Sequence, residues 1–171
     1  MASELIVQTI QGPSSGANAN KVLIPSGHTL HAAGHVVQVQ TTASPLFAIL
    51  TSTTYADLLT LSFTPKFSTS LLRVDVCIRY QENGSNPNIK YKVLHDGTNI
   101  YGINYYSDYH DAATNTISSK AFHCFVNSGS ISTRTIQFQA AQAASSGGTF
   151  TVNPNGDNGT ETRMTITEIA G

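Results

Sequence analysis

Charge is scarce in this sequence. Only 11% of its 171 residues are Asp, Glu, Lys or Arg, and nine basic side chains are balanced by ten acidic ones. The chain has no basic stripe that would follow a nucleic-acid backbone and no Lys/Arg cluster that would bind an anionic membrane. We therefore expect neither a nucleic-acid nor a membrane partner, and a surface made largely of uncharged polar groups.

Long apolar runs and helical stripes are missing as well. No stretch approaches the roughly 18 apolar residues of a membrane span. The opening MASELIVQTIQG has neither the basic nor the hydrophobic region of a secretion signal. No window shows apolar residues at helical spacing between capping residues. We expect no membrane insertion, and a protein that is made in the cytoplasm or assembled there into something larger.

Motifs of catalysis and cofactor binding are also absent. There is no Gly-x-Ser-x-Gly elbow, no phosphate-binding glycine-rich loop before a helix, and no His-Glu-x-x-His. Asp108 and Asp111 alone lack the ligand number of a calcium cage. His28, His31 and His35 lie in an extended segment where they do not converge, which leaves a ring of symmetry-related histidines as the metal alternative. We predict no enzymatic activity, no cofactor and no metal.

Two cysteines are present, and they lie far apart. Cys77 and Cys124 belong to no Cys-x-x-Cys motif. Each sits within an apolar strand, which favours buried free thiols over the alternatives of a disulfide or a metal ligand.

What the sequence does have is alternation. Short runs of Val, Ile, Leu, Phe and Tyr stand among Thr, Ser, Asn and Gln, a mixture that suits half-buried strands better than helices. The segment LLRVDVCIRY is the clearest case, with its even-numbered residues 72–80 apolar and Arg73, Asp75, Cys77 and Arg79 on the other face. The same signal, with the tight turn Asp96-Gly97, predicts strands at 35–41, 58–63, 121–126, 135–140, 150–152 and 163–169 and a hairpin over 89–103.

About eight strands without helices predict an all-β fold, an antiparallel β-sandwich of the jelly-roll type, over residues 34–171. Residues 1–33 differ, because their short apolar pieces flank a Gly/Ser/Asn/Ala segment. They form either a flexible terminus or an arm that adds a strand to another subunit. In the second case the assembly contacts would come from Leu5, Ile6, Val7 and Ile10.

The ordered series GHVVQVQTT, SFTP, STSLLRVDVCIRY, VLHDGTNIYG and ETRMTITEIAG resembles a C-terminal domain common in structural proteins of tailed phages, notably marine and cyanobacterial ones. The opening MASELIVQTIQG is similar to the start of many short phage fibre proteins. The resemblance implies a homotrimeric jelly roll, similar to that of tumour necrosis factor, displayed on tail fibres or on the capsid exterior. Family members often have Arg before Asp-Gly-Thr, whereas this chain has His95.

The strongest candidate for a binding site is the stretch YGINYYSDYHDAATN. Aromatic faces beside carboxylates suit a carbohydrate, such as a host surface glycan, or a partner loop. The alternative is that tyrosines cap the core, which we favour for Tyr101. The candidate ligand-binding residues are Tyr105, Tyr106, Asp108, Tyr109, His110 and Asp111.

Glu168 carries a carboxylate in the last predicted strand. By alternation it lies on the same, buried face of that strand as Met164 and Ile166. It either meets an Arg or a backbone donor at a subunit junction, as an assembly residue, or is turned out to solvent by a bulge before Ile169. Because Ile169 is apolar on the opposite phase, the sequence favours the bulge slightly.

Three functions fit these features. The first is a virion exterior protein, anchored to capsid or tail proteins by residues 1–33 and assembled in the cytoplasm of a host bacterium. The second is a tail-fibre tip that binds host surface glycans, and the third is a cellular lectin-like or cytokine-like trimer. The absence of heptads or shaft repeats favours a compact exterior protein. The absence of a secretion signal counts against the third function.

Overall fold

The structure is a computed structural model, and it describes residues 13–17, 19, 21, 23–24, 26, 28–45, 47–84, 89–103, 116–143, 148–153 and 161–171. The chain divides into two compact units, Met1–His31 and Ala32–Gly171. The predicted arm strand with Leu5, Ile6, Val7 and Ile10 lies outside the described residues. The fold below is that of the second unit.

Every regular element in the described part of the chain is a β-strand. The ten strands are β1 (Val36–Ser44), β2 (Ala48–Leu50), β3 (Ala56–Phe63), β4 (Leu71–Asn83), β5 (Ile89–His95), β6 (Thr98–Ile103), β7 (Thr116–Asn127), β8 (Arg134–Gln142), β9 (Thr149–Val152) and β10 (Thr162–Ile169). No helix that could span a membrane occurs among the described residues.

The strands pair into two antiparallel sheets. In sheet A the order is β1, β10, β4, β7, and β9 and β2 continue beside the second half of β4. In sheet B the order is β3, β8, β5, β6. The chain crosses repeatedly between the sheets, and its first strand pairs with its last, which is the strand order of a jelly roll. The predicted all-β jelly-roll sandwich is confirmed.

The core lies between the two sheets and follows from the alternation of β4. Its even-numbered side chains, from Leu72 to Tyr80, are at most 2% exposed. Phe150 of β9 packs on Tyr80 with ring centroids 4.5 Å apart, and sheet B contributes the fully buried Phe63 and Phe138. Each such side chain contributes about 1.5–3 kcal/mol by leaving water.

The predicted hairpin joins β5 and β6. Asp96 and Gly97 have φ angles of 48° and 79°, the positive values that a tight two-residue turn requires at both central positions. The Asp96 carboxylate accepts hydrogen bonds from the backbone N–H of Thr135 and the guanidinium of Arg134, each at 2.8 Å. The Asp96-Gly97 turn therefore not only connects β5 and β6 but is also hydrogen-bonded to β8.

The largest differences from the predicted strands are at β2 and at the start of β7, while several other strands are two or three residues longer than predicted. β2 was not predicted, because its three residues are too few to show alternation. β7 begins at Thr116 rather than at residue 121 because it pairs with β4 along the whole of Leu71–Glu82. Polar residues at the start of β7 extend that ladder, although their composition alone indicates a loop.

Candidate functional site

Glu168 occupies a polar site in the interior. Its side chain is 0% exposed. Its Oε1 atom accepts hydrogen bonds from the backbone N–H of Lys66 at 2.8 Å, the backbone N–H of Phe67 at 3.1 Å and the Ser70 hydroxyl at 2.7 Å. Its Oε2 atom accepts one from the Gln38 side-chain amide at 2.6 Å and shares the Lys66 N–H at 3.1 Å. Both carboxylate oxygens therefore have donors, as a buried charge requires.

These donors come from β1 and from the loop between β3 and β4. Strand β3 ends just before Pro65, which has no N–H for a ladder, and the following loop directs successive N–H groups toward β10. The register of β1 shifts between Val36 and Gln38, so that Gln38 pairs directly with Glu168.

The bulge therefore lies in β1 and not in β10. The expectation that a bulge would turn Glu168 out to solvent is wrong, because the carboxylate stays on the inward phase of β10, where the donors hold it. The donors described above belong to the same chain, so its role in assembly stays a prediction.

The outer face of sheet A carries exposed apolar side chains. Phe125 pairs with Arg73 and Ile117 with Gln81, positions on the phase of β4 that points away from the core. By the same alternation, β1 and β2 add further apolar side chains to this face. The five residues concerned, each 42–54% exposed, are Val36, Val39, Ile49, Ile117 and Phe125.

A depression of about 300 Å³ lies in the same face. Its lining includes Cys77 and Ala121, two small residues that pair across β4 and β7. Part of the lining is charged, since Arg73 donates to Asp75 at 2.7 Å and Arg163 also lines the depression. The face thus combines apolar side chains with a concave centre that can receive a side chain of a partner.

The outer face of sheet B has the opposite character. Among the described residues, no strand of sheet B contributes an exposed large apolar side chain. Asp57 accepts hydrogen bonds from Gln139 at 2.6 Å and from Gln137 at 3.4 Å. The neighbouring outward positions hold Lys90 and Lys92. Sheet B therefore presents a face suited to water, whereas sheet A does not.

Both cysteines are free thiols, but only one of them is buried. Cys124 lies on the inward phase of β7, and burial, with the nearby Asp75 charge, raises the pKa of its thiol to about 11. Cys77 points outward from β4 and is exposed, so the expectation of a buried Cys77 is wrong. The two thiols lie on opposite faces of sheet A, which rules out a disulfide between them in this fold.

The candidate binding stretch falls in the chain between β6 and β7. Tyr105, Tyr106, Asp108, Tyr109, His110 and Asp111 lie outside the described residues. Tyr101 is described: it is partly buried against the core, and its ring stacks on Phe122 at 4.9 Å between centroids. The assignment of Tyr101 to the core is confirmed.

The histidines form no metal site in the part of the chain that the structure describes, where no three His, Cys, Asp or Glu side chains are grouped to hold an ion. His28, His31 and His35 are all exposed. His95 lies at the end of β5 with its Nε2 3.9 Å from Asp96. The shorter contact to Asp96 comes from Arg134 of β8 at 2.8 Å.

Two features escaped the sequence reasoning. The apolar outer face of sheet A has a signal in ISSKAFHCFVN, where apolar residues occur on both phases of one strand. The predicted strand at 121–126 was assigned only one buried face, so the second apolar face was not predicted. The lysines of β5 have a signal in IKYKV, where charge alternates with buried residues, but no pattern places Tyr55 beside them.

No family model matches this sequence, and no curated protein matches it either. Among solved structures, a mutant VP2 protein of infectious bursal disease virus in derived T=1 particles is 12% identical, with a TM-score of 0.48 over 92% of this chain and 44% of that one. A chain in the structure of infectious bursal disease virus, Gx strain, is 10% identical in sequence, with a TM-score of 0.47 over 78% of this chain and 32% of that one. This chain thus spans less than half the length of these structures. The fold assignment rests on the strand order.

Proposed function

We propose that this chain is a non-enzymatic structural protein of a phage virion. It forms a homotrimer that packs through the outer face of sheet A and displays the outer face of sheet B at the particle exterior. Residues 1–33 act as an arm that anchors the trimer to capsid or tail proteins. Leu5, Ile6, Val7 and Ile10 supply the apolar side of that arm.

The observation that carries this proposal is the contrast between the two outer faces. A face with five apolar side chains about half exposed is costly to leave in water, at roughly 25 cal/mol per Å² of apolar surface, and such surfaces mark interaction sites. A second copy of the chain is the occupant we favour, because few residues of the chain are charged and two arginines of this face already have acidic partners, Asp75 for Arg73 and Glu161 for Arg163.

The virion assignment has a separate basis. The ordered motifs that resemble tailed-phage structural domains map onto β1, β3, β4, the β5–β6 hairpin and β10, the strands that build both sheets. The resemblance therefore follows the framework of the fold and is not confined to one loop. Trimeric packing and location on the exterior are the further steps that the experiments below test.

The assembly face is tested by molar mass. Light scattering of the purified chain should give about 55 kDa, three times the 18.2 kDa of one copy. A double variant, Ile117→Ser with Phe125→Ser, should shift the mass toward that of a monomer while circular dichroism stays unchanged. Ile131→Ser is the matched control, because Ile131 is 63% exposed in a loop and lies outside sheet A. A wild-type monomer, or a trimer that the double variant leaves intact, would refute the use of this face.

The location is tested on particles. Gold-labelled antibody raised against residues 34–171 should decorate the exterior of intact virions in electron micrographs. A chain that lacks residues 2–33 should be absent from purified particles although it is produced in infected cells. Incorporation of that shortened chain at the wild-type level would exclude the arm as the anchor.

A further inference from the structure

Two lysine side chains on the outer face of sheet B share one aromatic ring. Lys90 and Lys92 are alternate residues of β5 and point the same way, while Tyr91 between them is buried. Their ammonium nitrogens lie 4.7 Å and 4.2 Å from the centroid of the Tyr55 ring. The two cations are therefore at most about 9 Å apart, close to the Debye length of about 8 Å at physiological salt.

The position of the ring follows from the register of sheet B. Tyr55 directly precedes β3, whose first residue, Ala56, pairs with Ala140. One step further along the ladder, Tyr55 comes beside Ala141, which has no exposed surface although its phase points outward. Because alanine is short, the ring can reach across β8 to β5. Burial raises the pKa of the Tyr55 hydroxyl, so the phenol stays neutral and able to donate.

The next feature of this face is the charge of the two lysines. Among the described residues, neither Lys90 nor Lys92 forms an ion pair with a carboxylate. Asp57, an acid in the described part of this face, is separated from Lys92 by strand β8 and accepts a hydrogen bond from Gln139 at 2.6 Å. Two neighbouring cations without a counterion repel each other, and an oxyanion between them would remove that repulsion.

Amide groups flank Lys92 on both sides. On one side, Gln139 is its partner across β5 and β8. On the other, Gly102 pairs with Lys92, and the Asn99 side-chain amide fills the space above that glycine, 3.1 Å from where a β-carbon would be. Side-chain amides can both donate to and accept from sugar hydroxyls.

We propose that Tyr55, Lys90 and Lys92 form a binding site for a saccharide that carries an oxyanion. The carboxylate or phosphate of the sugar lies between the two ammonium groups, and sugar hydroxyls contact the amides of Asn99 and Gln139. The site goes beyond the proposed structural function, because assembly through sheet A does not require it. It lies on the face that a trimer packed through sheet A would leave in water.

The test is calorimetric titration of the intact chain with three saccharides. Trigalacturonic acid and glucose 1-phosphate supply the carboxylate and phosphate arms, and neutral maltotriose is the ligand control. We expect binding of at least one acidic sugar, weakened by raising NaCl from 50 to 500 mM, and no binding of maltotriose. Binding of one acidic sugar alone supports the site and identifies the anion. Equal binding of maltotriose, or no binding of either acidic sugar at millimolar concentration, overturns the proposal.

Variants locate the binding. Lys90→Gln with Lys92→Gln should weaken the acidic sugar at least tenfold, since a hydrogen bond to a charged group is worth about 1.5–3 kcal/mol and about 1.4 kcal/mol is tenfold. Lys21→Gln with Lys66→Gln makes the same charge change at residues that belong to no strand of sheet B and should leave the affinity unaltered. Equal losses in the two double variants would mean that net charge and not this site attracts the sugar. Molar mass stays at the wild-type value in both, which separates this result from the assembly test.

Discussion

Replacing Glu168 by Gln keeps the shape of the buried side chain while removing its charge and one acceptor oxygen. The remaining oxygen will stay where three donors converge, the N–H groups of Lys66 and Phe67 and the Ser70 hydroxyl. The new NH₂ group then faces the Gln38 amide. Gln38 cannot flip to accept from it without loss, because its Nε2 also donates to the Thr64 carbonyl at 2.8 Å.

The size of the effect follows from these contacts. One buried pair of facing donors costs about 1–3 kcal/mol, and the other three hydrogen bonds lose their charge assistance. Part of this loss is offset, because a neutral amide is cheaper to bury than a carboxylate. We expect Glu168→Gln to lower the free energy of unfolding by about 2 kcal/mol. For a chain of 171 residues this is a fall of about 4–8 °C in Tm.

Thermal unfolding followed by circular dichroism, at one fixed protein concentration, measures this difference. The matched control is Glu161→Gln, because Glu161 is partly exposed and lies 3.7 Å from Arg163. Loss of such a surface pair should cost at most about 1 kcal/mol. A Glu168→Gln variant whose Tm lies within 1 °C of the wild type would show that the buried carboxylate does not hold β10, β1 and the β3–β4 loop together.

Two further outcomes are expected. At pH 8 an aromatic disulfide reagent should label Cys77 rapidly in the Ile117→Ser, Phe125→Ser variant, whose sheet A is free of partners, and should label Cys124 only on unfolding, because burial raises the pKa of Cys124 to about 11; two equally fast thiols would contradict the fold. The Thr135 N–H and Arg134 hold the pKa of Asp96 in the folded protein below its usual range. The Asp96 carboxylate therefore stabilises the fold fully at pH values above its unfolded pKa of about 3.9. This stabilisation is lost as the pH falls through the pKa of the folded protein. Asp96→Asn should therefore destabilise the fold more at pH 7 than at pH 2; equal losses at both pH values would contradict this.

The architecture could be predicted because its main signals are local. Alternation over Leu71–Asn83 needs only the pleat of a strand, and the turn at Asp96-Gly97 needs only the positive φ values that Asp and Gly tolerate. β2 and the first residues of β7 could not be predicted, since both form by pairing with distant strands. β2 is too short to show alternation, and the polar residues 118–120 interrupt the alternation at the start of β7.

The sites depend on contacts between segments far apart in the chain. That Glu168 is buried follows from its phase, but its donors come from Gln38 and from residues about 100 positions earlier. The Tyr55 ring meets Lys90 and Lys92 only because β8 lies between β3 and β5 and has a small residue, Ala141, at the crossing. No spacing in the sequence expresses either relation.

The internal satisfaction of Glu168 bears on how the protein assembles. Had this carboxylate needed a donor from another subunit, folding and association would be inseparable, because an isolated chain would bury an unpaired charge. Its donors belong to the same chain, so the sandwich can be complete before it meets a partner. Loss of the apolar contacts on sheet A should then separate the copies without unfolding them, whereas loss of Glu168 should weaken each copy. The two sets of variants therefore report on different steps, and a common effect on mass and on melting would show that the steps are coupled.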